Sequence, residues 1–448
     1  MALGRRAFLK LSGAAAIGPC LEPLADAAPR VAAQADPTHV LRIRRALVEL
    51  APGHLVSTLT YDGHLPGPLL RATVGQPIRV DVYNETDTAE GIHWHGQGNG
   101  QGNAPDVSAH VPSRSLRRVE FTPSRPGLFF YHSHVVAAAN LGAGLYSGQV
   151  GGLLVEDKSG PDRESVVVLK DCEPFIRRTR RGCEIAYRSV TLNGRIPGHG
   201  DGMRINCGER ALVHVLNASA TEPRSLSLPG HSFVVTALDG NPVPLPARVA
   251  SLCLSPGERV SAIVEGHAGT GGVVEWSVRE LGNEYWDYRR FGLGSPREAG
   301  TGWLGGQRGA GHADTGRPDT RRAHARLEMV LTRHDAARSG FNSWSINGVR
   351  FSATEPLPLF HLRCGLRYRL RVCNSSDESL PLHLQGQQLE VVEVAGTPTA
   401  GVLKDVVTVG PHQELEVEFV AGNPGPALFY CTRQLHRDFG LMALIHST

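Results

Sequence analysis

Two pairs of histidines, His93-Trp94-His95 and His132-Ser133-His134, are the residues of this chain best placed by type and spacing to do chemistry. Each pair lies in an extended-looking run, EGIHWHG and GLFFYHSHVV. On a strand, residues i and i+2 project from one face. Each pair therefore aims two imidazoles the same way, and two such strands side by side bring four ring nitrogens to one place. Imidazole is a common protein ligand of copper, zinc, iron and nickel. A lone histidine in such a run reads as a hydrogen-bonded core or turn residue, whereas two spaced pairs read as a metal site, present or ancestral. No Cys-x-x-Cys spacing accompanies them, which disfavours zinc.

The elements that must position these side chains read as strands. Gly (52) and Pro (30) are abundant, and turn signals punctuate short Val/Leu-rich runs such as LLRATVGQPIRVDVYN, ALVHVLN and RYRLRVCN. That rhythm argues for all-β sandwiches over helical bundles or βαβ units. A strand ending in Asn before a polar turn occurs three times, at Val82-Tyr83-Asn84, Val215-Leu216-Asn217 and Val372-Cys373-Asn374, which points to one unit used three times. Apolar content of 41% and charged content of 20% are ordinary for globular protein, and a net charge of +3 gives no electrostatic case for nucleic acid. The arginine-rich stretch at 177–182 reads as a solvated hairpin tip.

The first residues read as an address. Arg5-Arg6-Ala7-Phe8-Leu9-Lys10 resembles the twin-arginine export motif, an apolar stretch runs from Leu11 to Leu21, and Ala25-Asp26-Ala27 is a small-x-small cleavage signal. The stretch is too short and too interrupted to span a membrane, Pro19 fits poorly with lipid attachment at Cys20, and no later run reaches spanning length. The expectation is a periplasmic protein released from a signal over residues 1–27. In that oxidising compartment Cys172 and Cys183, flanking a hairpin, are the first candidates for a disulfide. Pairing of Cys207, Cys253, Cys364 and Cys373 is not readable.

The segments IHWHG, RPGLFFYHSH and GLYSGQVGGLLVED closely resemble the first domain of the multicopper oxidase family. LVHVLNASA, LPGHSFVVTALDGNPV and LSPGERVSAIVE resemble its second domain, and WSINGVRF, LRVCNSSDESLPLHLQGQQLEVVEV and NPGPALFYCTRQLHRDFGLM its third. The resemblance implies an all-β chain of three consecutive cupredoxin-like Greek-key β-sandwich domains. They are placed at 38–158, 163–296 and 323–448, with a Gly-rich linker at 297–322.

It also implies copper. Family members take electrons at a type 1 copper, held by a Cys and two His, and pass them to a three-copper cluster held by eight His, where dioxygen is reduced. Aligned on Pro381 and Gly386, the third domain keeps His383, matching a type 2 ligand, while Leu380 and Gln385 stand where a type 1 and a type 3 His belong. Cys431 and His436 match type 1 ligands, Tyr430 and Thr432 replace two type 3 His, and Leu441 is at the axial position. Five cluster ligands are then present: His93, His95, His132, His134 and His383. Arg437 occupies a position often acidic in relatives, and Asp106 resembles the other acidic residue of the proton path. His110 matches no family role and reads as a surface loop residue.

The expectation is therefore an exported family member with a residual His copper site, partially occupied, and incomplete type 1 and type 3 sets. It resembles the FtsP/SufI-type periplasmic members, which act as scaffolds through protein contacts. A monomer with a periplasmic protein partner is implied, without nucleic acid. The alternative is a working copper-dependent oxidoreductase of phenols or metal ions. Only four Met are present, against a Met-rich cuprous-ion region.

Overall fold

The computed structural model describes residues 36–97, 110–157, 163–266, 272–281, 323–336, 340–354, 356–422 and 424–448. The signal at 1–27, Asp106, the linker at 297–322 and the end of the second expected domain lie outside the described residues.

The chain is three β-sandwiches built on one plan. In each, a leading strand pairs antiparallel with a hairpin partner and parallel with the strand that ends in the repeated Asn: His39–Ala51 with Ile78–Asn84, Glu164–Thr179 with Arg210–Asn217, and Ala325–His334 with Arg367–Asn374. The three asparagines explain the repeat. Each is buried, accepts from the backbone N–H two residues on, and donates to backbone carbonyls on two sides. Asn84 donates to Thr88, Val111 and Pro112, Asn217 to Glu222 and Leu254, and Asn374 to Glu378 and Gly410. An amide that mimics a backbone turn and ties a distant loop to the strand end closes the sandwich at the same corner each time.

Alternation sets the faces. Along Arg367–Asn374, Tyr368, Leu370 and Val372 are buried. Arg367, Arg369 and Arg371 face outward and pair with Glu418, Glu416 and Glu414 of the neighbouring strand. The exposed Arg371–Glu414 pair contributes little, and burial of the opposite face contributes most of the stability. The apolar cores of the second and third sandwiches run together, and the first keeps its own.

The second sheets of the first and third sandwiches have the same strand order. The first reads Gly67–Thr73, Val150–Glu156, Gly127–Ser133, Glu90–His95, His110–Val111. The third reads Pro358–Leu362, Met442–Ser447, Gly425–Cys431, Leu380–Leu384, Val406–Val409. Both faces of the Glu90–His95 strand are buried: Ile92 and Trp94 enter the first core, leaving His93 and His95 on the opposite face. His110 is exposed, on the edge strand.

Two expectations change. Cys172 and Cys183 do not form a disulfide; all seven cysteines among the described residues are free thiols. In the Glu164–Thr179/Gly182–Leu192 hairpin, Cys172 lies opposite Ser189 and Cys183 opposite Arg178. That places them roughly 20 Å apart along the ribbon, well beyond the ~7 Å Cα separation a disulfide tolerates. The tip of this hairpin is also not merely solvated. Arg181 pairs with Asp377 and the Cys183 N–H donates to the Gly340 carbonyl, docking the second sandwich on the third. Among the described residues no helix is long and apolar enough to cross a membrane.

Candidate metal centre

His93, His95, His132 and His134 are set by one register: Glu90–His95 runs antiparallel to Gly127–Ser133, with His93 opposite His132 and Trp94 opposite Tyr131. Gly96 ends the first strand at φ +80, and a Cβ there would meet Asp405 Oδ2 at 2.5 Å and Arg259 Nη2 at 2.7 Å. The glycine after the histidines is thus required both by its turn and by the approach of two other sandwiches. His383 arrives from the third sandwich, and its ring stacks on His95 at 4.1 Å.

Ligand atoms of His93, His95 and His383 lie within 4.8 Å of one another, and all three residues are buried. The His93 ring is 5.3 Å from His132 and 5.1 Å from His134, so the five sequence-read histidines come together. Their nitrogens suit a metal. Nδ1 of His132 donates to the Ser133 carbonyl at 2.8 Å, and Nδ1 of His383 to the Asp405 carbonyl at 2.7 Å, which fixes the tautomer and leaves each Nε2 with its lone pair. His383 Nε2, His93 Nε2 and both ring nitrogens of His95 are buried without a hydrogen-bond partner. Burial holds these rings neutral, lowering His132 to about 3 and moving His93, His95 and His383 down as well. Neutral imidazoles with free nitrogens converging in a buried site are a donor set that fits copper.

The third sandwich offers much less. Tyr430, opposite His383 in register, packs edge-on against His383 and His134. Gln385 accepts from the Leu428 N–H and brings its Nε2 to 3.4 Å from His134 Nε2. The Thr432 hydroxyl donates to the Pro256 carbonyl at 2.6 Å. At the type 1 position, Cys431 Sγ is 3.7 Å from His436 Nδ1, but Leu380 and Leu441 are fully buried beside it in the apolar core. Burial pushes the Cys431 thiol up to about 12, so it is protonated at neutral pH. His436 Nε2 is turned to Glu378, 3.2 Å away; burial would raise that carboxyl, but His436, Arg433 and Arg333 hold it well below the carboxylate range.

Sequence reading missed Glu378 with its arginines, and a buried junction behind His383. There Asp239 of the second sandwich accepts from the backbone N–H groups of Asp405 and Val406 and pairs with Lys404 at 3.1 Å, while Glu258 also pairs with Lys404 and Arg259 with Asp405. Burial alone would raise the Asp239 carboxyl, yet Lys404 and Arg259 hold it below its ordinary value. The junction fixes the carbonyl that orients His383. Nothing local announces it, because its members come from segments far apart in sequence.

Family profiles described as multicopper oxidase match residues 43–160, 177–272 and 324–447. The chain belongs to the multicopper oxidase family. It is 29% identical to the multicopper oxidase MmcO of Mycobacterium tuberculosis over 90% of this chain and 86% of that protein. It is 21% identical to a Staphylococcus aureus multicopper oxidase over 92% and 88%. Among solved structures, a multi-copper oxidase from Pseudomonas thermotolerans superposes with a TM-score of 0.70 at 25% identity, covering 92% of this chain and all of that one. Fet3p, a multicopper oxidase that functions in iron import, gives 0.70 at 14%, covering 91% and 90%, a likeness of fold alone. Membership in this family implies copper binding, and the unpartnered imidazoles accord with it on their own account.

Proposed function

We propose that this multicopper oxidase family member is exported through its twin-arginine signal to the periplasm. There it holds one or two copper ions at the buried histidines and does not turn over as a four-copper oxidase. The observation that carries the reading is the contrast between donors. His93, His95 and His383 keep unpartnered nitrogens, whereas Cys431 is a protonated thiol in an apolar core and His436 is engaged by Glu378.

Bound copper would supply a one-electron couple and a Lewis acid. This chain's own residues hold His383 in one tautomer through the Asp405 carbonyl and hold His132 likewise through Ser133. They also brace the rings with Phe130, stacked at 4.5 Å on His95 and 4.9 Å on His132. A largely redox-silent fold of this kind suits a scaffold acting through a periplasmic protein partner.

A second reading, an oxidase of phenols or metal ions, is favoured by the names of the relatives, which include multicopper oxidases and laccases. Copper content and the visible spectrum separate the two. After copper loading and dialysis, mass spectrometry is expected to give one or two coppers per chain, with no blue band near 600 nm. Close to four coppers with a blue band would establish the oxidase reading instead.

A further inference from the structure

Arg437 lies beside the histidines with part of its guanidinium unsatisfied. It is 2% exposed. Its Nη2 donates to the Val135 carbonyl at 3.1 Å and its Nε reaches Asp438 Oδ1 at 3.3 Å, but the buried Nη1 has no partner. Leaving a charged donor unmet costs more than the ~1–3 kcal/mol of a neutral one, so the position calls for a ligand or a water. Asp438 offsets the charge only from the Nε side, because its Oδ2 accepts from the Ala137 and Ala138 N–H groups and from Gln434 Nε2.

Arg437 lines a cavity of about 10 Å³ together with His95, His132, Tyr430 and Thr432. That admits one species of roughly water size. The Arg437 guanidinium brings a fixed positive charge and a free N–H group to this lining. Both ring nitrogens of His95 are buried and unpartnered, and the guanidinium lies 5.9 Å from the centroid of the Tyr430 ring, whose hydroxyl is engaged by the Gln385 side chain. A metal ion is opposed here on two counts. A fixed cation is already present, and Thr432, where the resemblance places a type 3 His, donates its hydroxyl to the Pro256 carbonyl. The positive charge of Arg437 is also felt by His93, His132 and His134, disfavouring their protonation.

We propose that this cavity binds one small monoatomic anion of the halide class, held by Arg437 Nη1 with the single N–H of neutral His95 as a further donor. The proposal rests on the reading that this position holds no copper, and it does not require copper elsewhere. Bromide is the probe. Crystals of metal-free and of copper-loaded protein are soaked in bromide and measured at the bromine and copper absorption edges.

The expected result is one bromide peak within hydrogen-bond distance of Arg437 Nη1 in both forms, lost in Arg437→Gln. Three results overturn the proposal: water alone at Nη1, bromide there only when copper is loaded, or bromide retained in Arg437→Gln as an adventitious ion only. A copper peak in this cavity would also defeat it, and with it the reading of the position as metal-free. Absence of bromide with copper confined to His93, His95 and His383 would defeat the anion alone. The soak of the unaltered protein decides the matter even if Arg437→Gln does not fold.

Discussion

The first and third sandwiches carry the same pair of neighbouring strands and put different chemistry on them. In the first, His93 faces His132 and Ile92 faces Ser133; in the third, His383 faces Tyr430 and Leu382 faces Cys431. One face of each pair is core: Ile92, Trp94, Phe129 and Tyr131 in the first, Leu382, Leu384, Phe429 and Cys431 in the third. Register is fixed by that core face. The imidazoles stand on the opposite face, which does not set the register. Just past the ends of the two third-sandwich strands, Gln385 and Thr432 each bond to the backbone, to the Leu428 N–H and the Pro256 carbonyl. Fold and site are separable properties of this chain.

The junction behind His383 offers the largest effect on that comparison. Lys404→Met would leave Asp239 and Glu258 buried without their shared cation. Breaking one partner from a buried charge network typically costs about 3–5 kcal/mol. The expected outcome is a loss of that order in urea unfolding, with weaker copper retention as the Asp405 carbonyl releases His383. A loss below about 1 kcal/mol would mean that the third sandwich positions His383 unaided.

A second effect, of comparable size at most, follows from the neutral histidines. His93, His95, His132 and His383 are held below their ordinary values by burial, His132 at about 3. In the unfolded chain each takes a proton as pH falls through about 6.5, while the folded, metal-free protein does not. Stability is therefore undiminished above that value and falls as pH drops below it. The slope is at most about 1.4 kcal/mol per pH unit for each ring, and the His132 share is complete near pH 3. Urea midpoints of metal-free protein at pH 7.5 and 5.5 check this; equal midpoints would place the rings in contact with water.

Much of this was legible in the chain itself. The His-x-His spacing foretold four imidazoles on one face, and the Val-x-Asn repeat marked the corner where each sandwich closes. Pro381 and Gly386 set the register in which Leu380 and Gln385 read as standing at ligand positions, and the residues around Cys431 give the same reading for Tyr430 and Thr432, a reading that the copper content tests. What escaped depends on partners distant in sequence. Glu378 stands in a polar turn, with no local sign that it meets His436, Arg333 and Arg433. Asp239 lies before a glycine in an ordinary turn, and its contact with Lys404 exists only once two sandwiches meet. The Cys172–Cys183 expectation failed because proximity in sequence does not fix strand register, and the hairpin pairs each cysteine with a different residue.

The most direct test of the central claim is the copper content, by mass spectrometry, of two variants loaded and dialysed like the unaltered protein. His93→Ala with His383→Ala is expected to retain no copper. Cys431→Ser is expected to retain all of it, at a stability cost of about 1–3 kcal/mol for a hydroxyl in an apolar core. Loss of copper from Cys431→Ser, or retention in the double variant, would contradict a copper site built on the buried histidines.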